Sequence, residues 1–312
     1  MTISLSFSLP APVQCCHLHA AATVASHSFS FSPSFLLTSP YQTSVLRLQI
    51  LHPGPRRPPA SRASSLSSAA ATGALLQDAG ATSAVLAGAY ALVFTFDSLT
   101  KHNLIPQKLS RKLVHILSGL LYAGSWPIFS NSIEARYFAS LVPLVNCVRL
   151  LVYGLSLASD QGLIKSVTRD GKPEELLRGP LYYVLILIFC SLIFWRDSPI
   201  GVIALAMMCG GDGIADIMGR RFGSMKLPYN QQKSWAGSIC MLVLGFLISL
   251  GMLYYFSVLG YFQLEWTSTV QRVAVVSMIA TLVESLPTTE IMDDNISVPL
   301  ASMVAAYLVF KF

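Results

Sequence analysis

Charged side chains are scarce in this chain. Only 12% of its 312 residues are Asp, Glu, Lys or Arg, whereas 53% are hydrophobic, and the mean hydropathy is +0.58. Soluble globular proteins carry roughly 25% charged residues, so this chain has too little polar sequence to cover a water-exposed surface. A large soluble protein with many buried helices is therefore disfavoured, and a polytopic helical membrane protein is indicated.

Acidic residues are absent from the first 77 positions, where four arginines precede Asp78. This segment is rich in Ser, Ala and Pro, which is typical of an organelle transit peptide. Its proline-rich stretch disfavours a continuous amphipathic helix, so a plastid address is favoured over a mitochondrial one. We therefore predict a chloroplast transit peptide over 1–72, disordered and cleaved around 60–72, followed by a membrane domain over 73–312. A merely disordered tail is the alternative.

Other absences exclude several kinds of site. The chain has 21 Lys and Arg against 15 Asp and Glu, and four of these cations fall in the predicted leader. The remainder is close to neutral, so nucleic-acid binding has no support. The six cysteines show no CxxC spacing, which gives no support to a zinc site or a disulfide framework. Walker, protein-kinase and GxSxG motifs are also absent.

The apolar runs predict an all-α bundle of about seven to eight transmembrane helices. They fall near 79–96, 113–130, 136–157, 179–195, 198–211, 236–260, 270–287 and 297–310. The fifth run is short for a full crossing, and we expect it to continue into the polar motif that follows as a broken or partly buried helix. Trp126, Trp195 and Trp266 lie near the ends of runs and are predicted to be interface anchors.

The loops between these runs differ in charge. The first, third and fifth connections each carry four Lys or Arg, and the second, fourth and sixth carry one arginine each. If every run crosses once, the basic loops share one side, which is the inside by the positive-inside rule. The seventh connection, 288–296, falls on that same side and carries Glu290, Asp293 and Asp294. It is either part of a shared polar site or an ordinary solvated turn.

Segment 209–238 holds the densest group of chemistry-bearing residues. Asp212 and Asp216 are four positions apart, a spacing that places both carboxylates on one helix face and suits one or two Mg²⁺ ions. The surrounding glycines and cations suit a nucleotide phosphate, through backbone amides and positive charge. These residues are Gly210, Gly211, Gly213, Arg220, Arg221, Lys226, Lys233 and Ser234. Internal salt bridges among the charges are the alternative.

Two further clusters lie beside apolar runs. Glu174 or Glu175 can pair with Arg178 at helical spacing. That cluster is either a helix-end ion pair or a carboxylate held near a reacting hydroxyl. His115 lies one turn inside the second run, where a titratable group needs a partner. It is either a satisfied structural histidine or a member of the site.

Together these clusters resemble the polyprenol kinase family, integral membrane enzymes that phosphorylate isoprenoid alcohols, usually with CTP. The matching elements are Arg111-Lys112-x-x-His115, Glu175-x-x-Arg178-Gly-Pro-x-Tyr-Tyr, and Gly210-Gly211-Asp212-Gly-x-Ala-Asp216 continuing through Gly-Arg-Arg-Phe-Gly to Lys233-Ser-Trp-Ala-Gly-Ser. The third element is also similar to the signature of CDP-diacylglycerol synthases, which tend to carry glutamate where this chain has Ala236. The resemblance extends from about residue 75 to the C terminus. It is strongest to the plant chloroplast branch, which acts on phytol, with the farnesol kinases as the alternative.

The resemblance implies transfer of a phosphoryl group from CTP to phytol, giving phytyl monophosphate for tocopherol synthesis in a chloroplast membrane. It implies Mg²⁺ held by Asp212 and Asp216, and catalytic roles for Glu175, His115 and Arg178. The expected partners are a prenyl alcohol, a nucleoside triphosphate and the lipid bilayer. Two other functions stay open from the residues: a cytidylyltransferase acting on a lipid phosphate, and a transporter with charges along a substrate path. The oligomeric state is not specified.

Overall fold

A computed structural model of the chain describes residues 60–158, 164, 167, 168, 171–287 and 293–310, with side chains from residue 71 onward. Within this part the chain is helical apart from one short hairpin and its loops, which confirms the predicted all-α class. Residues 1–59 of the predicted transit peptide lie outside the described residues. Its predicted boundary at 72 falls inside the first helix, and its cleavage stays a prediction.

Nine α-helices lie within the described ranges: α1 (Ala60–Lys101), α2 (Gln107–Gly124), α3 (Ala135–Gly154), α4 (Gly179–Ile193), α5 (Pro199–Leu205), α6 (Gly213–Phe222), α7 (Trp235–Val258), α8 (Trp266–Ser285) and α9 (Asp294–Phe310). A π-helical turn, Ala206–Asp212, joins α5 directly to α6. Short 3₁₀ turns occur at Trp126–Ile128, Pro173–Leu177 and Trp195–Asp197. Strands β1 (Lys226–Leu227) and β2 (Asn230–Ser234) pair antiparallel between α6 and α7.

Several helix starts follow from local sequence. Ser198 and Ser234 accept hydrogen bonds from the backbone amides two and three residues ahead, and Glu265 accepts from the amides of Thr267 and Ser268. Such caps satisfy amides that have no partner within the first turn of a helix. Apolar side chains then extend α7 and α8 for 24 and 20 residues, which is long enough to cross a bilayer.

Six helical segments of the described chain are long and apolar enough to span a membrane. They comprise the apolar part of α1, α3, the segment from the 3₁₀ turn at Pro173 through α4, the segment from α5 to α6, α7 and α8. Two helices that lie at predicted spans do not meet this standard. The first is α2, which carries three cations in its first two turns, and the second is α9, which has 17 residues. Within the described residues, six segments are therefore long and apolar enough to cross a membrane, against the seven to eight that the sequence predicted.

The segment from Pro199 to Phe222 forms the centre of the bundle. The most apolar stretch of this segment is 83% buried, whereas that of α1 is 11% buried. The segment packs against α2, α7 and α9. The fifth apolar run therefore does continue into the polar motif as a buried helix with an irregular turn, as the sequence predicted. By contrast α1 lies at the edge of the bundle, against α2 and α3.

The polar residues of the bundle gather at its two ends. At one end, called here the polar end, Lys112 near the start of α2 meets Asp212, and Lys233 of β2 meets Asp294 at the start of α9. The four connections predicted to share one side therefore meet there, because Gly179 after the third connection also lies beside Asp293. The membrane face that this end occupies stays a prediction.

At the opposite end a buried arginine binds one loop. Arg196 is 3% exposed and donates to the carbonyl oxygens of Trp126, Phe129 and Ser130, and to Oδ1 of Asn131. From the other side, Asp78 of α1 accepts from the amide and the hydroxyl of Ser130 at 2.7 and 2.8 Å. We call these residues the Arg196 clamp.

The clamp corrects the prediction for two tryptophans. Trp126 and Trp195 are 0% and 3% exposed and pack ring against ring at 5.2 Å, so they belong to the core and are not interface anchors. The sequence places them near span ends but contains no local sign that the ends of neighbouring helices would cover them. Trp266 is 36% exposed, which is compatible with an interfacial position.

Candidate active site

The π-helical turn Ala206–Asp212 delivers the first site residue. All seven of its residues are buried, and π turns inside α-helices occur often at functional sites because they change the direction of the side chains that follow. Asp212 ends the turn and Asp216 lies one turn further along α6. Nζ of Lys112 lies 3.7 Å from Oδ2 of Asp212 and 3.5 Å from Oδ2 of Asp216. The two carboxylates therefore share a face, as their spacing predicted.

Asp212 also belongs to a group of three carboxylates, called here the carboxylate cluster. One oxygen each of Asp212, Glu284 and Asp294 lie within 4.8 Å of one another. The three residues come from the π turn, the last turn of α8 and the start of α9. Asp216 is not part of this group; its Oδ1 accepts from Nε of Arg220 at 2.9 Å. The structure thus gives Asp212 two further carboxylate neighbours, and metal binding by Asp212 together with Asp216 stays a prediction.

Lys233 lies beside this cluster. Its Nζ donates to Oε1 of Glu284 at 2.5 Å and to Oδ2 of Asp294 at 2.8 Å. Burial by itself lowers the pKa of Lys233, but the charges of these two carboxylates outweigh that effect and raise the pKa above its ordinary value. Lys233 is therefore a permanent cation, and one positive charge is built into the cluster.

The hairpin holds Lys233 in this position. Nδ2 of Asn230 donates to the carbonyl oxygens of Ser285 and Leu286 at 3.0 and 3.1 Å, which fastens β2 to the end of α8. Ser234 is buried, and its hydroxyl accepts from the amide of Gly237 at the start of α7. In this structure Ser234 therefore acts as a helix cap, and its predicted contact with a nucleotide stays a prediction.

The carboxylate cluster fits a hard divalent cation. Oε2 of Glu284 and Oδ1 of Asp294 are buried without a hydrogen-bond partner among the described residues, and Glu284 is only 3% exposed. Buried carboxylate oxygens without partners are costly, and a cation that takes oxygen ligands removes that cost. Asp212, Glu284 and Asp294 are therefore the residues that would hold Mg²⁺.

His115 lies against Tyr183 of α4. Their ring centroids are 4.2 Å apart, and the hydroxyl of Tyr183 donates to the carbonyl oxygen of His115 at 2.9 Å. Nε2 of His115 is buried and has no hydrogen-bond partner within the described ranges. The histidine is thus positioned by its neighbours, and its predicted catalytic role stays a prediction.

A cavity of about 1060 Å³ opens beside these residues. Its walls come from α1, α2, α3 and α4. Charged and polar side chains line it near the polar end: Lys112, His115, Glu175, Arg178, Asp212, Asp293, Asp294 and Asn295. Elsewhere the lining is mainly apolar, with Val85, Val93, Leu121, Val142, Val184 and Leu187 among its residues. The cavity therefore suits a molecule with a long apolar tail and a polar head.

Only some of the predicted site residues line the cavity. His115, Glu175, Arg178 and Asp212 line the cavity. The cations Arg220, Arg221 and Lys226 are exposed on α6 and the hairpin and do not contribute to its lining.

The predicted glycines Gly210, Gly211 and Gly213 are buried in contacts between helices. A side chain at Gly213 would collide with Ile116 of α2, and one at Gly210 with Ile248 of α7. This geometry gives these two glycines a packing role, and their contact with a nucleotide stays a prediction.

Sequence reasoning missed two members of the site. Glu284 is a lone carboxylate inside the seventh apolar run, and a charge in such a run is itself a signal of function. Arg149 of α3 carries the same signal: it lines the cavity, and its guanidinium lies 5.8 Å from the centre of the Tyr90 ring. Nothing local in the sequence marks Glu284 as a neighbour of Asp212, because that neighbourhood depends on how α8 packs.

Comparison with known proteins finds several closely similar chloroplast kinases. The chain is 72% identical over 236 residues to a probable phytol kinase 1, chloroplastic, of Glycine max, covering 76% of this chain and 78% of that protein. It is 60% identical over 290 residues to phytol kinase 1, chloroplastic, of Arabidopsis thaliana, covering 93% of each. A chloroplastic farnesol kinase of Arabidopsis thaliana is 46% identical over 222 residues, which are 71% of this chain and 72% of that protein.

The chain belongs to the polyprenol kinase family. No family model and no solved structure matches it. The chain is a multi-pass chloroplast membrane protein. Its relatives are named chloroplastic, and six of its described helical segments are long and apolar enough to span a membrane.

Proposed function

We propose that this chain is a CTP-dependent kinase that converts phytol to phytyl monophosphate, which then enters tocopherol synthesis. Support comes from relatives named phytol kinase at 72% and 60% identity. The observation that carries the proposal is the cavity, because its apolar walls lead to a polar end that contains His115, Arg178 and Asp212. A prenyl alcohol placed there would bury its tail in an apolar environment and present its hydroxyl to the charged residues.

The reaction requires alignment and charge neutralisation more than covalent chemistry. The hydroxyl oxygen of the alcohol bonds to the γ-phosphorus of CTP, the bond from that phosphorus to the bridging oxygen breaks, and CDP leaves. His115 is the first candidate to take the hydroxyl proton, because its Nε2 has no partner among the described residues. Glu175 lines the same cavity and is the second candidate.

Cations that line the cavity would contact the phosphates directly. Lys112 and Arg178 both lie at its polar end, and an arginine can donate two parallel hydrogen bonds to a phosphate. Arg220, Arg221 and Lys226, exposed on the same end, would add attraction for the nucleotide from a greater distance. Mg²⁺ held by the carboxylate cluster would neutralise negative charge on the transferred and leaving phosphates.

The direct test uses membranes that contain the full chain. Prenyl alcohols are incubated with CTP, UTP, ATP or GTP, and the products are identified by mass. We expect phytyl monophosphate and CDP from phytol and CTP. A CDP-lipid with pyrophosphate would instead identify a cytidylyltransferase, and the absence of phosphorylated alcohol with every nucleotide would refute the proposal.

The variant Arg178→Gln tests whether Arg178 contacts the phosphates of CTP directly. Loss of one charge-assisted hydrogen bond costs about 1.5–3 kcal/mol, so kcat/KM for CTP should fall roughly 10- to 100-fold. Arg272→Gln is the matched control, because Arg272 lies on α8 over the ring of Phe310 and outside the cavity lining. It should leave kcat/KM unchanged within about twofold.

Arg221→Gln in the same series tests the sequence-based assignment. A loss as large as that of Arg178→Gln would place both arginines on the nucleotide. A wild-type rate in Arg178→Gln membranes with normal protein content would remove Arg178 from the site.

A further inference from the structure

We infer that α1 measures the length of the isoprenoid tail, so that small residues along its cavity face set the longest alcohol accepted. This inference rests on the proposed function and adds to it a determinant of chain length. The polar residues of the site cannot supply such a determinant, because phytol, farnesol and geraniol all present the same hydroxyl. Discrimination among them has to come from the apolar part of the cavity.

The cavity follows α1 along much of the bundle. Two hydrogen bonds show that α1 and α2 run antiparallel at matched heights. The Ser110 hydroxyl near the start of α2 donates to the Phe96 carbonyl, and the Gln77 amide donates to the carbonyl of Ile128, in the 3₁₀ turn just after α2. Both Asp97, at the polar end, and Ala84, thirteen positions earlier, line the cavity. At 1.5 Å per residue these two residues are about 20 Å apart along the helix. Position on α1 is therefore a measure of depth in the cavity.

Apolar side chains line the deep part of the cavity. Leu121 of α2, Val142 of α3 and Leu187 of α4 are among the other lining residues, and the matched heights of α1 and α2 place Leu121 near the level of Ala84. A hydrocarbon tail is favoured there, because each methylene it removes from water contributes to binding. The tail enters from the polar end and reaches Ala84 only if it is long enough.

Two of the small residues of α1 that line the cavity divide this depth into steps. Ala84 and Gly88 both line the cavity and are one helical turn apart. One turn is about 5.4 Å, which is close to the length of an extended isoprene unit. A side chain added at Gly88 would meet no atom within 4 Å, so a large residue can be introduced there without displacing a neighbour. A large residue at either position should therefore shorten the accepted tail by a defined step.

The experiment compares Ala84→Phe and Gly88→Phe on phytol, farnesol and geraniol, with CTP as donor. Ala84→Phe should lower the ratio of kcat/KM for phytol to that for farnesol at least about tenfold, since the deepest isoprene unit loses its place. Gly88→Phe, one turn nearer the polar end, should lower the rates for phytol and farnesol relative to that for geraniol. The prediction therefore requires that Gly88→Phe restrict the enzyme to shorter alcohols than Ala84→Phe does.

Ala87→Phe is the matched control, because it makes the same change on the same helix at a residue that does not line the cavity. It should leave all ratios unchanged. Protein content of the membranes is measured by immunoblot, and leucine replaces phenylalanine at any of the three positions where the phenylalanine variant fails to accumulate. Unchanged alcohol ratios in variants that accumulate would overturn the inference. A wild-type chain that phosphorylates none of the three alcohols would instead refute the proposed function.

Discussion

Asp212→Asn is expected to lower the rate of phytol phosphorylation roughly 100- to 1000-fold, because a bound metal contributes several kcal/mol of charge stabilisation. Asp212 is the residue on which two parts of the site converge. Its carboxylate belongs to the cluster with Glu284 and Asp294, and it also faces Nζ of Lys112. Asparagine keeps the size of the side chain but removes the charge that a divalent cation requires.

The same variants distinguish the structural cluster from the sequence-based pair of Asp212 and Asp216. Binding of Mn²⁺ to purified protein, followed by electron paramagnetic resonance, gives a readout that does not depend on activity. We expect Asp212→Asn and Glu284→Gln to weaken Mn²⁺ binding more than Asp216→Asn does. Asp197→Asn, an exposed residue at the opposite end, is the control and should bind as the wild type. Wild-type Mn²⁺ binding in Glu284→Gln would show that the cluster is not the metal site.

Arg196→Met is expected to destabilise the protein by about 3–5 kcal/mol, because it leaves several buried oxygens without a hydrogen-bond donor. Arg196 is 3% exposed and has four acceptors. The predicted result is a lower midpoint of thermal unfolding in detergent and less protein in the membrane. The KM for CTP of the protein that does accumulate should stay unchanged, because the clamp lies at the opposite end from the residues that would contact the nucleotide.

Arg136→Met is the matched control for this prediction. Arg136 lies at the same end and makes one hydrogen bond, from Nη1 to the Leu192 carbonyl at 3.4 Å, so its loss should cost less than about 1 kcal/mol. Asp78→Asn provides a second check, since Asp78 holds Ser130 from the other side. Its effect should be less than additive with Arg196→Met, because both act on the same loop. Equal midpoints for Arg196→Met and wild type would contradict the role of the clamp.

Lys233 has different partners in the structure from those that the sequence predicts. The sequence marks it as a cation in a phosphate-binding motif, whereas the structure pairs it with Glu284 and Asp294. Those residues are 51 and 61 positions away. The hairpin that carries Lys233 was not predicted either, because β2 is a polar segment of five residues without a hydrophobic alternation that would indicate a strand.

The sequence alone determined the helical membrane class, the approximate bounds of the apolar runs and the connections that meet at the polar end. These properties follow from the hydropathy of continuous segments and from the alternation of successive loops between the two sides of the membrane. Both can be read along the chain without knowing how the helices pack. Only the tertiary structure decided that Asp212 lies with Glu284 and Asp294, that Trp126 and Trp195 are buried, and that a cavity follows α1. The physical reason is that many pairings of similarly apolar helices bury similar areas, so hydropathy does not specify which faces meet. The fit of side chains specifies which faces meet. One example is Gly213, whose missing side chain leaves room for Ile116 of α2.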